Sequence, residues 1–192
     1  TPLTSWLSGL FPDYTYLGAY VLIVAATLLL FLPLAFLKPV DKPLVLSVEE
    51  TPGTGRKLIE IARTPKFIVA VTNGALGYAM MSFVMTATPL AMEVCNFSAI
   101  TTATTIQWHT VAMFLPGLFT GVLIARIGVL PVLLTGHACF IAAFLLALSG
   151  VSLLQFNMSL IALGLGWNFC HVSSSSLLTE VHSEAEKGRV QG

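Results

Sequence analysis

The sequence predicts an all-α fold, a polytopic membrane helix bundle with about five transmembrane helices. Of the 192 residues, 56% are hydrophobic and 9% are charged, whereas soluble domains carry about 25% charged residues. A surface with so few polar side chains needs lipid rather than water around most of it. Five apolar stretches also have about the 20 residues that a helix needs to cross a bilayer core. The formal net charge is zero, so no basic excess points to nucleic acid.

The five predicted spans are separated by short connections, with one exception. They cover residues 17–37, 67–92, 103–125, 130–148 and 153–178. Thr64 and Pro65 precede the second span and form a typical helix start, a capping residue followed by proline at the first helical position. The exception is the segment 38–66, which is rich in Pro, Gly and charged residues. It is predicted to be a polar linker between two groups of helices.

The basic residues predict the orientation of the spans. Successive connections between the five spans lie on alternate sides of the membrane. All nine Lys and Arg residues then fall on one side. These residues are Lys38, Lys42, Arg56, Lys57, Arg63, Lys66, Arg126, Lys187 and Arg189. By the positive-inside rule the basic side is cytoplasmic, which places the amino end outside and the carboxyl end inside.

Polar and small residues form stripes along three of the spans. The stripe of the third span consists of Thr102, Thr105, His109, Met113, Pro116 and Thr120, which share one sector at about 100° per residue. Similar stripes occur in the fifth span, with Asn168 and His171, and in the second, with Asn73. Polar groups in hydrocarbon usually face the bundle interior or a water-filled cavity. The residues that we expect to line a substrate path are Asn73, Thr105, His109, Met113, Asn168 and His171.

Helix packing is the alternative interpretation of every stripe. Threonine hydroxyls bond back to the carbonyl of the preceding turn, and small residues let membrane helices approach closely. This alternative applies more to the threonines and glycines than to His109, Asn168 and His171, because no charged residue lies mid-membrane to compete with them.

The sequence carries no catalytic, cofactor-binding or metal-binding motif. Cys95, Cys139 and Cys170 lie far apart without CxxC spacing, so neither a metal site nor a disulfide framework is predicted. HExxH, GxSxG and a phosphate-binding glycine loop are missing. Cys170 and His171 are neighbours, but adjacent helix positions point about 100° apart, which disfavours a nucleophile pair.

The junction between the third and fourth spans carries a family signature. Residues 121–128 read Gly-Val-Leu-Ile-Ala-Arg-Ile-Gly, which resembles the G-x-L-a-D-r-x-G signature of the major facilitator superfamily. The matching residues are Gly121, Leu123, Arg126 and Gly128. Ala125 stands where the usual Asp is found. The segments that look like a subgroup of bacterial permeases in this superfamily are 107–109, 113–116, 164–169, 177–180 and 186–192.

The resemblance implies a domain organisation for the whole chain. Residues 1–37 would hold the last helix of a first six-helix half, residues 38–66 the cytoplasmic linker, and residues 67–192 a partial second half with four helices and the start of a fifth. Residue 1 is Thr, and the chain stops soon after a helix-start signal at Ser183. We therefore expect a fragment of a twelve-helix protein of a bacterial inner membrane.

The resemblance also implies secondary active transport of a small solute, in which two halves rock about a central site. Proton coupling stays open, because the spans offer histidines but no mid-membrane carboxylate. Two alternatives are an intramembrane enzyme that uses His109 or His171, and a scaffold or sensor that does not transport.

A conformational latch is predicted at the cytoplasmic boundary. Arg126 ends the third span and Glu180 ends the fifth, and a guanidinium group pairs with carboxylate in a planar, bidentate manner. We expect these two residues to form an ion pair that acts with Gly121 and Gly128 of the junction to hold one conformation.

Overall fold

The computed structural model describes residues 58–181 and Val24. Within this part the chain is helical and has no strand, as predicted. The helices are α1 (Leu58–Ala62), α2 (Pro65–Val94), α3 (Ala99–Phe114), α4 (Gly117–Ile127), α5 (Val129–Leu148) and α6 (Leu153–Val181). Four stretches are long and apolar enough to cross a membrane, namely α2, α3 with α4, α5, and α6. They confirm four of the five predicted spans, while the first, residues 17–37, lies outside the described residues.

Helix α2 begins where the sequence predicts. Thr64 has an extended backbone (φ −70°, ψ 136°) and Pro65 occupies the first turn, where a helix leaves its backbone N–H groups unpaired in any case. The Thr64 hydroxyl does not cap the helix; it donates to the carbonyl of Ile61 in α1 at 2.7 Å. At the start of α3, by contrast, the Ser98 side chain accepts from the N–H of Thr101 at 3.1 Å.

Helix α6 is the centre of the described bundle. It packs against α2, α3, α4 and α5. Its residues Leu160, Leu163 and Cys170 form a hydrophobic core with Leu133 and Phe140 of α5. The other spans carry exposed Leu, Val, Ile and Phe side chains, as expected of helices that meet lipid.

Helices α5 and α6 approach each other so closely that both need glycine. A Cβ atom on Gly166 would lie 2.9 Å from the carbonyl oxygen of Gly136, and one on Gly136 would lie 2.7 Å from Sγ of Cys170. Any side chain at either position would force these backbones apart. Small residues of this kind let membrane helices pack backbone to backbone.

The third predicted span is divided in the structure. Helix α3 ends at Phe114 and α4 begins at Gly117, because Pro116 has no N–H and its ring meets the carbonyl one turn back. Helix α4 ends at Gly128, whose φ of +89° is unfavourable for residues with a Cβ atom. Helix α5 starts directly after this glycine, so the junction that carries the sequence signature is a turn of one residue.

Candidate substrate-path site

His109 is held between α3 and α6. Its side chain is 1% exposed, and its Nδ1 lies 2.7 Å from the carbonyl oxygen of Leu160. Since a carbonyl oxygen can only accept, Nδ1 carries the proton and donates it. Nε2 is buried and has no hydrogen-bond partner among residues 58–181. The imidazole thus links α3 to α6 through a hydrogen bond, while the lone pair of Nε2 accepts no hydrogen bond from residues 58–181.

The backbones of α3 and α6 nearly touch beside His109. A Cβ atom on Gly164 would lie 2.7 Å from the His109 carbonyl oxygen and 3.1 Å from the backbone nitrogen of Met113. The Met113 side chain is buried at the same interface. The polar stripe of α3 therefore faces α6 and is closed by it.

Asn168 of α6 joins the two sides of the break at Pro116. Its Nδ2 donates to the carbonyl oxygen of Met113, at the end of α3, at 2.7 Å. Its Oδ1 lies 2.7 Å from the hydroxyl of Thr120 in α4, which is also 2.8 Å from the Pro116 carbonyl. A Cβ atom on Gly117 would lie 3.1 Å from Nδ2, so glycine leaves room for the amide. One side chain thus satisfies polar groups on both halves of an interrupted span.

Thr105 and Asn73, also predicted for the path, hydrogen-bond within their own helices. Thr105 is buried, and its hydroxyl donates to the Thr101 carbonyl one turn back at 3.1 Å. Asn73 is half-buried in α2, and its Nδ2 donates to the Val69 carbonyl at 2.8 Å. Thr105 lies on the face of α3 that α6 covers, whereas Asn73 does not join it. We call the interface of α6 with α3 and α4 the polar seam; its residues are Thr105, His109, Met113, Thr120 and Asn168.

His171 belongs to a different group, made of aromatic rings. Its imidazole stacks on the indole of Trp167, with ring centroids 4.6 Å apart and planes 7° apart. Phe114, the last residue of α3, meets the same indole edge-on at 6.2 Å. His171 is exposed, and the Phe114 side chain is 63% exposed. We call Phe114, Trp167 and His171 the aromatic cluster.

Sequence reasoning misses Trp167 and Phe114. A signal exists for the first, because residues four apart on a helix share a face and Trp167 stands four residues before His171. Phe114 joins the cluster only through the packing of α3 on α6, which no spacing in the sequence indicates.

The predicted ion pair between Arg126 and Glu180 is absent from this structure. Glu180 pairs instead with Lys66, with 3.0 Å between Oε2 and Nζ. Lys66 begins α2, which packs along α6 in the opposite direction, so its side chain is the neighbour of the α6 end. Arg126 is exposed beside a separate opening of about 460 Å³, which Phe119, Leu123 and others line. Gly121 of the junction has open space around it.

Cys170 lies near a histidine, but not the one that follows it in sequence. Its Sγ is 3.9 Å from Nδ1 of His137 in α5. That Nδ1 is also 2.8 Å from the Leu133 carbonyl oxygen, so it carries the proton and cannot accept one from the thiol. The pair therefore lacks the base that a cysteine nucleophile needs.

Three apolar spans around a fourth, central one, with polar side chains buried between them, define a polytopic helical membrane protein. The model of the Major Facilitator Superfamily matches residues 1–192. The chain belongs to this superfamily of membrane transporters, which confirms the resemblance drawn from the junction at residues 121–128.

Two curated relatives match most of this chain. The riboflavin transporter RfnT of Brucella anthropi is 39% identical over an alignment of 194 positions, which covers 99% of this chain and 47% of that protein. The uncharacterised transporter YdeG of Bacillus subtilis is 30% identical over 185 residues, or 91% of this chain and 43% of that protein. The chain thus spans about half the length of the curated relatives it matches. No solved structure matches it significantly.

Proposed function

We propose that the protein to which this chain belongs carries riboflavin across a bacterial inner membrane by alternating access. The observation that carries the proposal is the 39% identity, over 99% of this chain, with a riboflavin transporter. The match covers all the described spans rather than one motif.

An interrupted transmembrane helix supports this function. Transporters commonly form solute sites beside discontinuous helices near the bilayer midplane. The break at Pro116 lies near the middle of the span Ala99–Ile127. The Asn168 amide donates to the Met113 carbonyl at the break. Phe114, which belongs to the aromatic cluster, is exposed beside it.

The described charges support the proposed orientation. Arg63 and Lys66 lie at the start of α2, and Arg126 lies near the end of α4. Because the spans alternate in direction, these positions share one end of the bundle with Glu180, which Lys66 contacts. By the positive-inside rule this end is cytoplasmic, and the amino end of the chain is outside. Residues 1–37 then complete a first half, 38–66 link the halves, and 67–192 begin the second.

The proposal places proton coupling at His109. Among the histidines that the structure describes, His137 and His171 are exposed and His109 is buried. Its Nε2 is free to accept a proton. Ionisable groups inside the membrane commonly form the proton relays of transporters.

The two alternatives differ from transport in what they require. An intramembrane enzyme needs a second catalytic group within hydrogen-bond reach of His109 or His171. Within residues 58–181, the His109 ring bonds only to the Leu160 carbonyl, and the His171 ring stacks on Trp167. A scaffold needs closed helix interfaces, which the polar seam also has, so only a transport measurement separates a scaffold from a transporter.

The deciding experiment is uptake by the full-length protein. The gene is expressed in a bacterium that can neither make nor import riboflavin, and growth and accumulation of radiolabelled riboflavin are measured beside a panel of other solutes. We expect growth at low external riboflavin and saturable uptake. Membrane-inserted protein that supports neither, in either direction of flux, contradicts the proposal.

A further inference from the structure

We infer that the aromatic cluster is the surface on which the flat ring system of a flavin stacks during transport. The inference rests on the proposed function and deepens it by assigning the ligand to Phe114, Trp167 and His171. Nothing in the names of the relatives points to these residues; their geometry does.

The cluster already has the form of a stacking platform. The Trp167 and His171 rings are parallel to within 7° at 4.6 Å, which is the offset stacking that flat π systems prefer. Phe114 closes one edge of the indole at 68°. Since His171 is exposed, the stack ends in open space on one side, where a further flat ring has room.

The position of Trp167 along α6 is unusual for a membrane tryptophan. Tryptophans that meet lipid concentrate at the two interfaces, whereas Trp167 is the fifteenth of the 29 residues of Leu153–Val181. It therefore lies near the bilayer midplane, which is the depth at which transporters of this kind bind their solutes.

The cluster also faces a groove rather than the outside of the bundle. On α6, Asn168 contacts α3, and Ser174 lies 3.9 Å from where a Cβ atom on Gly74 of α2 would be. At about 100° per residue, Trp167 and His171 point between these two directions. The platform thus lies in the groove that α2 and α3 form on α6.

The chemistry of the platform suits a flavin. The isoalloxazine ring is flat, tricyclic and electron-poor, so it stacks favourably on the open face of the His171 imidazole, which itself lies on the electron-rich indole of Trp167. Riboflavin carries no charge at neutral pH, so its binding does not need an intramembrane cation, and none lies within the described spans away from their ends. Stacking supplies affinity here without the desolvation penalty of an ion pair.

The test is titration of riboflavin with the purified full-length transporter, followed by flavin fluorescence. An indole in the same aromatic stack as the flavin quenches this fluorescence by electron transfer. We expect Trp167→Leu to raise the Kd about tenfold or more and to remove most of the quenching. Trp167→Phe keeps a ring and should hold the Kd within about threefold while it quenches less. The control Trp108→Leu changes an indole of α3 that is 54% exposed outside the cluster, and should change neither quantity.

His171→Ala protects the test from a folding artefact. Because the side chain is exposed, its removal leaves the bundle intact, and we expect the Kd to rise about threefold or more. Wild-type affinity and quenching in both Trp167→Leu and His171→Ala would overturn the assignment while leaving riboflavin transport intact. Failure of the wild-type protein to bind or carry riboflavin would instead overturn the proposed function, and the stacking surface with it.

Discussion

The polar seam and the aromatic cluster share helices α3 and α6 and have opposite exposure. In the seam, His109 and Asn168 are 1% and 3% exposed, and each bonds to a backbone carbonyl of the neighbouring span. In the cluster, which starts one residue after Met113 of the seam, His171 and Phe114 are open. Of the three polar side chains that the sequence marks most strongly, His109 and Asn168 are closed and His171 is open.

The difference teaches what intramembrane polarity indicates. A buried amide or imidazole in hydrocarbon gains most from a carbonyl on a neighbouring helix, so it is drawn into helix interfaces. A phenyl ring such as that of Phe114 has no such requirement and can remain at a surface at little cost. In this bundle the most deeply buried polar side chains, His109 and Asn168, mark where two helices touch, and the exposed aromatic cluster is where we propose that the solute has access.

The largest effect is expected where the seam brings two backbones together. Gly164→Ala places a Cβ atom 2.7 Å from the His109 carbonyl oxygen, and we expect a loss of about 3 kcal/mol in the free energy of unfolding. Gly121→Ala is the matched control, since no heavy atom lies within 4 Å of its Cβ position and alanine favours the helix. Unfolding of the full-length protein in mixed micelles measures both. Equal stability of the two variants would mean that α3 and α6 do not touch at Gly164.

The next effect concerns the bonds across the proline break. Asn168→Ala removes the amide N–H that the Met113 carbonyl accepts. We expect the free energy of unfolding to fall by about 1–2 kcal/mol in the same assay. Asn73→Ala also removes an amide, but one that bonds within its own helix, so we expect less than about 0.5 kcal/mol. A larger loss from Asn73→Ala than from Asn168→Ala would reverse the comparison between buried and half-buried amides.

Two substitutions at His109 separate its structural bond from its free nitrogen. His109→Asn offers an N–H to the Leu160 carbonyl but has no equivalent of Nε2, whereas His109→Ala loses both. We expect the alanine variant to be about 1 kcal/mol less stable than the asparagine variant. Both should lose about tenfold in proton-driven riboflavin uptake, measured in proteoliposomes with an imposed pH gradient. Wild-type uptake by His109→Asn would assign His109 to packing alone.

The smallest effect is expected at the ion pair of the proposed cytoplasmic end. Lys66 and Glu180 are 64% and 47% exposed, so we expect Glu180→Lys to cost at most about 0.5 kcal/mol, and less at high salt. The double swap with Lys66→Glu should recover this loss. Arg126→Glu provides the control, because Arg126 has no ion pair within residues 58–181. Recovery of Glu180→Lys by Arg126→Glu rather than by Lys66→Glu would restore the predicted latch.

The spans and their junctions were largely predictable, but the division of the third span was not. Apolar length identifies the four described spans, and Gly128 follows from a family signature. Among the described residues, Pro89 and Pro116 both lie inside a membrane span, and only Pro116 interrupts its helix. Leu90 follows Pro89, whereas Gly117 follows Pro116 and leaves room for the Asn168 amide, which donates to the Met113 carbonyl at the break.

The site was predicted in part, and the limits have a physical cause. Helical spacing correctly groups the seam residues of α3 on one face. It does not say whether a neighbouring helix covers that face, which is why residues expected along a path are found in an interface. The same limit explains the ion pair. Charge placement puts both Lys66 and Arg126 at one end of the bundle, and the packing of α2 on α6 decides that Glu180 pairs with Lys66.

The paired glycines of α5 and α6 have a mechanical consequence. A Cβ atom on Gly136 would lie 3.1 Å from the Gly166 carbonyl oxygen, and the reverse distance is 2.9 Å, so the two backbones rest directly on each other without intervening side chains that could deform. We expect two helices in such contact to resist bending more than either helix alone. We therefore expect bending of the bundle to concentrate at Pro116, where the span formed by α3 and α4 is interrupted.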